Sequence, residues 1–164
     1  MKLCVFGAGA VGSYLAARLL RSGRHEVAVI ARNEQLRAIA THGLILLSGQ
    51  DEYVVRPHAL TDRPGELPKQ DVVFVTLKAH TQPAAARDIA SLLGPDACAV
   101  FASNGIPWWW PYRDSSVAAQ PLPLLDPEGA LWRHVRPERA VGCVVYSANE
   151  VIRPGVVRHS GNTI

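Results

Sequence analysis

The segment KLCVFGAGAVGSYLAARLL, residues 2–20, constrains this chain more than any other. Four apolar residues, Leu3 to Phe6, run into Gly7, Gly9 and Gly12. Val11, Leu15, Leu19 and Leu20 then recur at helical spacing up to Ser22-Gly23. A short apolar run bounded by glycine predicts a strand buried on both faces, and the spacing after it predicts a helix. In a strand-to-helix turn of this kind Gly7 permits the sharp change of direction. Gly9 lets backbone approach a ligand without a Cβ in the way, and Gly12 lets the helix sit close to the sheet. The unpaired N–H groups and positive dipole end of the helix would then offer a cradle to a pyrophosphate along Gly7, Ala8, Gly9, Ala10, Val11 and Gly12. The competing reading is a glycine-rich turn that binds nothing.

The chain continues in the same alternation. EVAVI (26–30) predicts a second buried strand, and NEQLRAIATHG predicts a helix capped by Asn33 and stopped by Gly43. LILLSGQDEYVV (44–55) predicts an antiparallel hairpin around Gly49, and TDRPGELPKQ (61–70) a loop. DVVFVTL (71–77) reads as a strand and PAAARDIASLLG (83–94) as a helix with Pro83 in its first turn and Gly94 at its end. ACAVFAS (97–103) is the next strand, followed by a loop, NGIPWWWPY, and a proline-rich stretch to about Pro127. AVGCVVYSA (140–148) and GVVRHS (155–160) predict strands joined through Arg153-Pro154-Gly155, after which GNTI ends the sequence without a closing helix. Strands alternating with helices predict an α/β fold, a mostly parallel sheet with helices on both faces.

Composition narrows the function classes. A length of 164 residues suits one domain with a substantial core, and 48% hydrophobic against 19% charged residues excludes a disordered chain. A net charge of +3 without a run of lysine or arginine fits a small phosphate-bearing ligand and gives little footing to nucleic acid. Cys4, Cys98 and Cys143 stand in strand-like stretches with no C-x-x-C, which predicts buried free thiols in a reducing compartment. The six histidines lack ligand spacing, so no metal site is expected. The first apolar run is too short for a signal peptide or a membrane span, and the expected location is the cytoplasm.

Further along, several side chains could carry chemistry. Arg32 follows the second strand, where an acidic residue would accept a ribose hydroxyl of NAD. A guanidinium there pairs instead with the 2′-phosphate of NADP, which makes NADP(H) the expected cofactor. Lys78, after the strand DVVFVTL, stands at the sheet edge where ligands lie and could meet a cofactor phosphate, a ribose or a substrate carboxylate. Asn104, at the same edge, could orient a nicotinamide ribose or a substrate hydroxyl, or simply form a turn with Gly105. His80 could donate a proton beside Lys78, or face water. Trp108, Trp109, Trp110 and Tyr112 form an aromatic block whose members cannot all face one core, so at least one should line a pocket, cover a cleft or meet a partner.

Taken together, GAGAVG (7–12), the AR ending at Arg32, VTLKA (75–79), Asn104-Gly105 and YSANEVIRPGVVRH (146–159) resemble the amino-terminal domain of the ketopantoate reductase (2-dehydropantoate 2-reductase) family. The resemblance covers nearly the whole chain. It implies a Rossmann-type domain over residues 1–164, cut short near its carboxyl end, that binds NADP(H) and serves reduction of a 2-oxo acid to pantoate on the way to pantothenate and coenzyme A. It implies that Gly7 to Gly12 hold the pyrophosphate and Arg32 the 2′-phosphate. Lys78 would contact the cofactor, Asn104 both cofactor and substrate, and the Ala148 backbone the nicotinamide end. The family's proton-donating lysine and its substrate-binding asparagines, serine and glutamate lie in a helical second domain, expected just beyond Ile164. No catalytic residue of this chain is therefore certain. Its expected partners are a small 2-oxo acid and, in a homodimer, a second copy, with neither nucleic acid nor membrane. A non-catalytic NADP-binding module and a different hydroxy-acid dehydrogenase remain open. The tryptophan block departs from the family pattern and leaves the exact substrate less fixed than the reaction type.

Overall fold

A computed structural model describes residues 1–116 and 118–161 of the chain. The close of the GNTI segment, Asn162 to Ile164, lies outside the described residues. Strands β1 (Lys2–Phe6), β2 (Glu26–Ile30), β5 (Ala59–Thr61), β6 (Gln70–Val75), β7 (Leu93–Ala102) and β8 (Ala140–Cys143) form one sheet in the order β5-β2-β1-β6-β7-β8. Every neighbouring pair in it is parallel. The chain builds outward from β1 to β2 and β5, then returns to the other side of β1 with β6. The carboxyl ends of β1 and β6 therefore meet where the winding reverses.

The period-two alternation of a strand sorts these side chains into two cores. Cys4 and Phe6 of β1, Val73 and Val75 of β6 and Ala99 and Phe101 of β7 face one side, against helix α3 (Ala86–Leu92) and helix α4 (Ala130–His134). Leu3 and Val5 of β1 and Val27 and Val29 of β2 face the other, against helix α1 (Ala10–Ser22). That second side carries an unexpected layer. Strands β3 (Leu44–Ser48), β4 (Asp51–Val55), β9 (Asn149–Arg153) and β10 (Val156–His159) form a separate sheet, ordered β4-β3-β10-β9. Leu44, Leu46 and Val157 of this sheet cover α1 from outside. The fully buried positions of α1 are accordingly small (Gly12, Ser13, Ala16 and Ala17), because the helix is enclosed between two sheets. Leu15, Leu19 and Leu20 are only half-buried.

Several expectations need correction. Asn33 does not cap helix α2 (Asn33–His42) through its side chain. Its φ is +52° and the first helical bond runs from Leu36 N–H to the Arg32 carbonyl. The segment Pro83–Ala85 is a separate 3-10 turn before α3, and Gly94 belongs to β7 rather than to a helix cap. Between 61 and 70 the loop holds, except that Thr61 ends β5 and Gln70 starts β6. The proposed strand 140–148 divides. Its first four residues make the edge strand β8, and the partner of β10 in the antiparallel hairpin is β9. Free thiols are present, but only Cys4 is buried. Cys143 is exposed because β8 is the outermost strand. Among the described residues no helix is long and apolar enough to cross a membrane, and no group of metal-binding side chains is found.

Candidate functional site

The switch point between β1 and β6 is floored by the glycine turn. Gly7 has φ +112°, a conformation side chains resist, and its N–H donates to the Ile30 carbonyl at 3.1 Å. Thr76 locks the turn to the end of β6, its hydroxyl donating to the carbonyls of Gly7 (2.6 Å) and Phe6 (3.2 Å). A Cβ on Gly12 would overlap the Gly7 carbonyl oxygen and stand 2.5 Å from Thr76 Oγ1, so the helix approach demands glycine there. Gly9 is different in kind. Its φ of −76° suits any residue, and a Cβ would meet no protein atom within 4 Å. The first backbone bond of α1 runs from Ser13 N–H to the Gly9 carbonyl (2.8 Å), which leaves the N–H groups of Ala10, Val11 and Gly12 without helical partners.

Two cavities open from this floor and share Gly7, Gly9, Leu77 and Thr81. The first, about 620 Å³, is bordered by Ala8, Arg32, Gln35 and His80. The second, about 640 Å³, is bordered by Ala10, Val11, Lys78, Asn104, Val145 and Ser147. Both volumes lie in the range of small-molecule sites. No carboxylate lines either one, and Arg32, Lys78 and His80 are exposed cations or potential cations on their rims. The ion pairs among the described residues, Arg63–Glu66 and Arg136–Glu138, lie elsewhere.

The sequence-predicted residues therefore largely converge, with three differences. His80 borders the first cavity with Arg32, not the second with Lys78. Asn104 reaches the groove, but its amide already clamps Val145, donating to the carbonyl at 3.0 Å and accepting from the N–H at 2.8 Å. One amide hydrogen remains for a ligand. Ala148 stands outside both linings, with its carbonyl taken by Ser160 N–H at 2.9 Å; Ser147 borders the groove instead. The tryptophans separate. Trp108 is buried edge-on against Phe101, Trp109 tilts against the same ring and borders a small cavity beside Asn104, and Trp110 is exposed.

Sequence reasoning missed Gln35. Its amide donates to the Ala8 carbonyl at 2.9 Å and the Ser13 hydroxyl at 3.2 Å, and accepts from Gly155 N–H at 3.0 Å. It thus ties the glycine turn to the β9–β10 hairpin. A polar residue in the first turn of α2, facing back toward the glycine turn, was the available signal. The partner at Gly155 left no trace in the sequence.

A crevice over the winding reversal of a parallel sheet, floored by a glycine turn at a helix N-terminus, places the chain in the Rossmann class of α/β domains. The chain belongs to the ketopantoate reductase PanE/ApbA family, whose family model matches residues 3–164. It is 41% identical over 160 residues to a 2-dehydropantoate 2-reductase of Mesorhizobium japonicum, covering 97% of this chain and 49% of that protein. A crystal structure assigned as a ketopantoate reductase from Ralstonia solanacearum superposes with a TM-score of 0.90 at 38% identity, over 97% of this chain and 49% of the other. A PanE/ApbA family ketopantoate reductase from Ralstonia eutropha superposes with a TM-score of 0.74 at 28% identity, over 98% and 47%. The chain thus spans about half the length of the relatives it matches.

Proposed function

We propose that this chain is the dinucleotide-binding half of an NADPH-dependent 2-oxo-acid reductase that converts 2-dehydropantoate to pantoate. The observation that carries the proposal is the 41% identity to a 2-dehydropantoate 2-reductase across nearly the whole chain. The residues fit the cofactor. Gly9 is a glycine that the protein's own packing does not require, and the space its missing Cβ leaves open borders both cavities. The N–H groups of Ala10, Val11 and Gly12 hold the pyrophosphate there, at the positive end of α1. Arg32 pairs with the 2′-phosphate at the end of the first cavity, and the absence of a carboxylate from its lining removes the group that would repel that phosphate.

When bound, the cofactor supplies the hydride that reduces the keto carbon. This chain's own residues bind and orient. Lys78 adds a positive charge on the rim of the second cavity for the cofactor or the substrate carboxylate. Asn104, immobilised by Val145, presents its remaining N–H to the cofactor's ribose and the substrate. The proton for the new hydroxyl is assigned, by the family resemblance, to a lysine of the helical second domain rather than to Lys78, which borders the same cavity as Asn104. On that assignment residues 1–164 alone bind NADP(H) without turnover. A chimera joining residues 1–164 to the part of the Mesorhizobium enzyme that this chain does not match tests the whole reading. Its NADPH oxidation should depend on 2-dehydropantoate. A folded chimera that binds NADPH and leaves 2-dehydropantoate unreduced contradicts the substrate assignment.

A further inference from the structure

We propose that Ser147 is a ligand-binding residue whose hydroxyl donates a hydrogen bond to the nicotinamide–ribose half of the dinucleotide. The proposal rests on the reading of the groove as an NADP(H) site. Ser147 borders the second cavity together with Lys78 and Asn104, in the irregular segment between β8 and β9. Asn149 holds it from behind. The Asn149 side-chain nitrogen lies 2.6 Å from Ser147 Oγ and 3.3 Å from the Ser147 carbonyl oxygen. A carbonyl oxygen only accepts, so the nitrogen side of this amide faces Ser147 and the oxygen side faces away. That oxygen is 3.0 Å from Nδ1 of His159, a buried ring stacked on Tyr14 of α1 at 4.5 Å. His159 Nδ1 must therefore carry the proton and donate it to Asn149.

Polarity then runs one way along the row, from His159 to Asn149 to Ser147. Ser147 Oγ accepts from Asn149, and its own hydrogen has no acceptor among the described residues. A hydroxyl fixed as an acceptor from behind is a donor in front, and in front lies the groove. The oxygens such a donor meets in the nicotinamide–ribose half are ribose hydroxyls and the carboxamide carbonyl. The α1 helix that carries Tyr14 also begins at the glycine turn, so one helix meets both that turn and the ring that starts the row.

Binding to the chain itself tests this, with NADP⁺ and with 2′,5′-ADP, which lacks the nicotinamide–ribose half. Ser147→Ala should weaken NADP⁺ about 3- to 10-fold, the cost of one neutral hydrogen bond, and leave 2′,5′-ADP unchanged. Asn149→Asp, which replaces the donor by an acceptor and turns the hydroxyl back, should reproduce that selective loss. Unchanged NADP⁺ affinity in Ser147→Ala, or equal losses for both ligands, overturns the proposal. If the wild-type chain binds neither ligand, the reading of the groove fails first, and the role of Ser147 falls with it.

Discussion

Three glycines in one turn do three separate jobs, and substitution should separate them. Gly12 is required by the protein: an added methyl group would overlap the Gly7 carbonyl. Gly12→Ala should therefore lower unfolding free energy by about 1–3 kcal/mol or more, read from urea midpoints. Gly9 is not required by the protein's own packing, since nothing in it occupies the space of its Cβ, and the proposed site gives that space to a ligand. Gly9→Ala should remain within about 1 kcal/mol of wild-type stability while losing about tenfold or more in NADP⁺ affinity. Loss of stability in Gly9→Ala would mean that the turn itself, not a ligand, dictates that residue. The turn and its close helix approach were legible in the sequence because strand, glycine spacing and helix are local. Gln35 and Ser147 were not, because each acquires its meaning from partners brought in by the fold. Gln35 meets Gly155 from 120 positions away, and Ser147 is aimed by a row ending at His159. No periodicity records such pairings.

Among the elements, the buried strands and α1 were readable because each keeps a single apolar pattern, with glycine closing β1 and both ends of α1. The failures fall where tertiary context decides. The run 140–148 is mostly apolar, but only its first four residues find a neighbour in the main sheet; the rest turns away, and the next five residues pair with β10. Helix α4 was missed because its five residues follow a proline-rich stretch and carry no capping residue directly before them. Its cap comes from Asp126, buried, whose carboxylate accepts the N–H groups of Leu131 (3.1 Å) and Trp132 (2.9 Å). Asp126→Ala should cost about 1–2 kcal/mol in chemical denaturation, and Asp126→Asn less, because one acceptor oxygen is kept. Equal costs for the two would show that the carboxylate's charge, not its capping oxygen, matters. The aromatic cluster of Trp108, Trp132 and Tyr112 links α4 to the loop after β7, so this cap also supports the wall beside Asn104.

On the scale of the molecule, the parallel sheet and its switch point followed from alternation, whereas the second sheet did not. Its pairing of β3 with β10 joins segments about a hundred residues apart, and it converts α1 from a surface helix into a central one. The inner core also sets a dependence on pH. Burial pushes the Cys4 thiol up from 9.0 to about 12, so the folded chain keeps a proton that the unfolded chain releases above 9. The contribution of this thiol is thus fully present below pH 9 and lost as pH rises toward 12, at no more than about 1.4 kcal/mol per pH unit. Urea midpoints between pH 8 and 10.5 should fall less steeply in Cys4→Ala than in wild type. Parallel slopes would exclude Cys4 as a source of the alkaline instability.

Everything proposed for the site requires that the crevice between β1 and β6 take up a dinucleotide bearing a 2′-phosphate. Calorimetric titration of the chain with NADPH and with NADH tests it most directly. The wild-type chain should prefer NADPH about ten- to a hundredfold, the worth of a charge-assisted contact at Arg32, and Arg32→Ala should erase the preference. Equal affinity for the two coenzymes in the wild-type chain, or binding of neither, would rule out a 2′-phosphate site at Arg32.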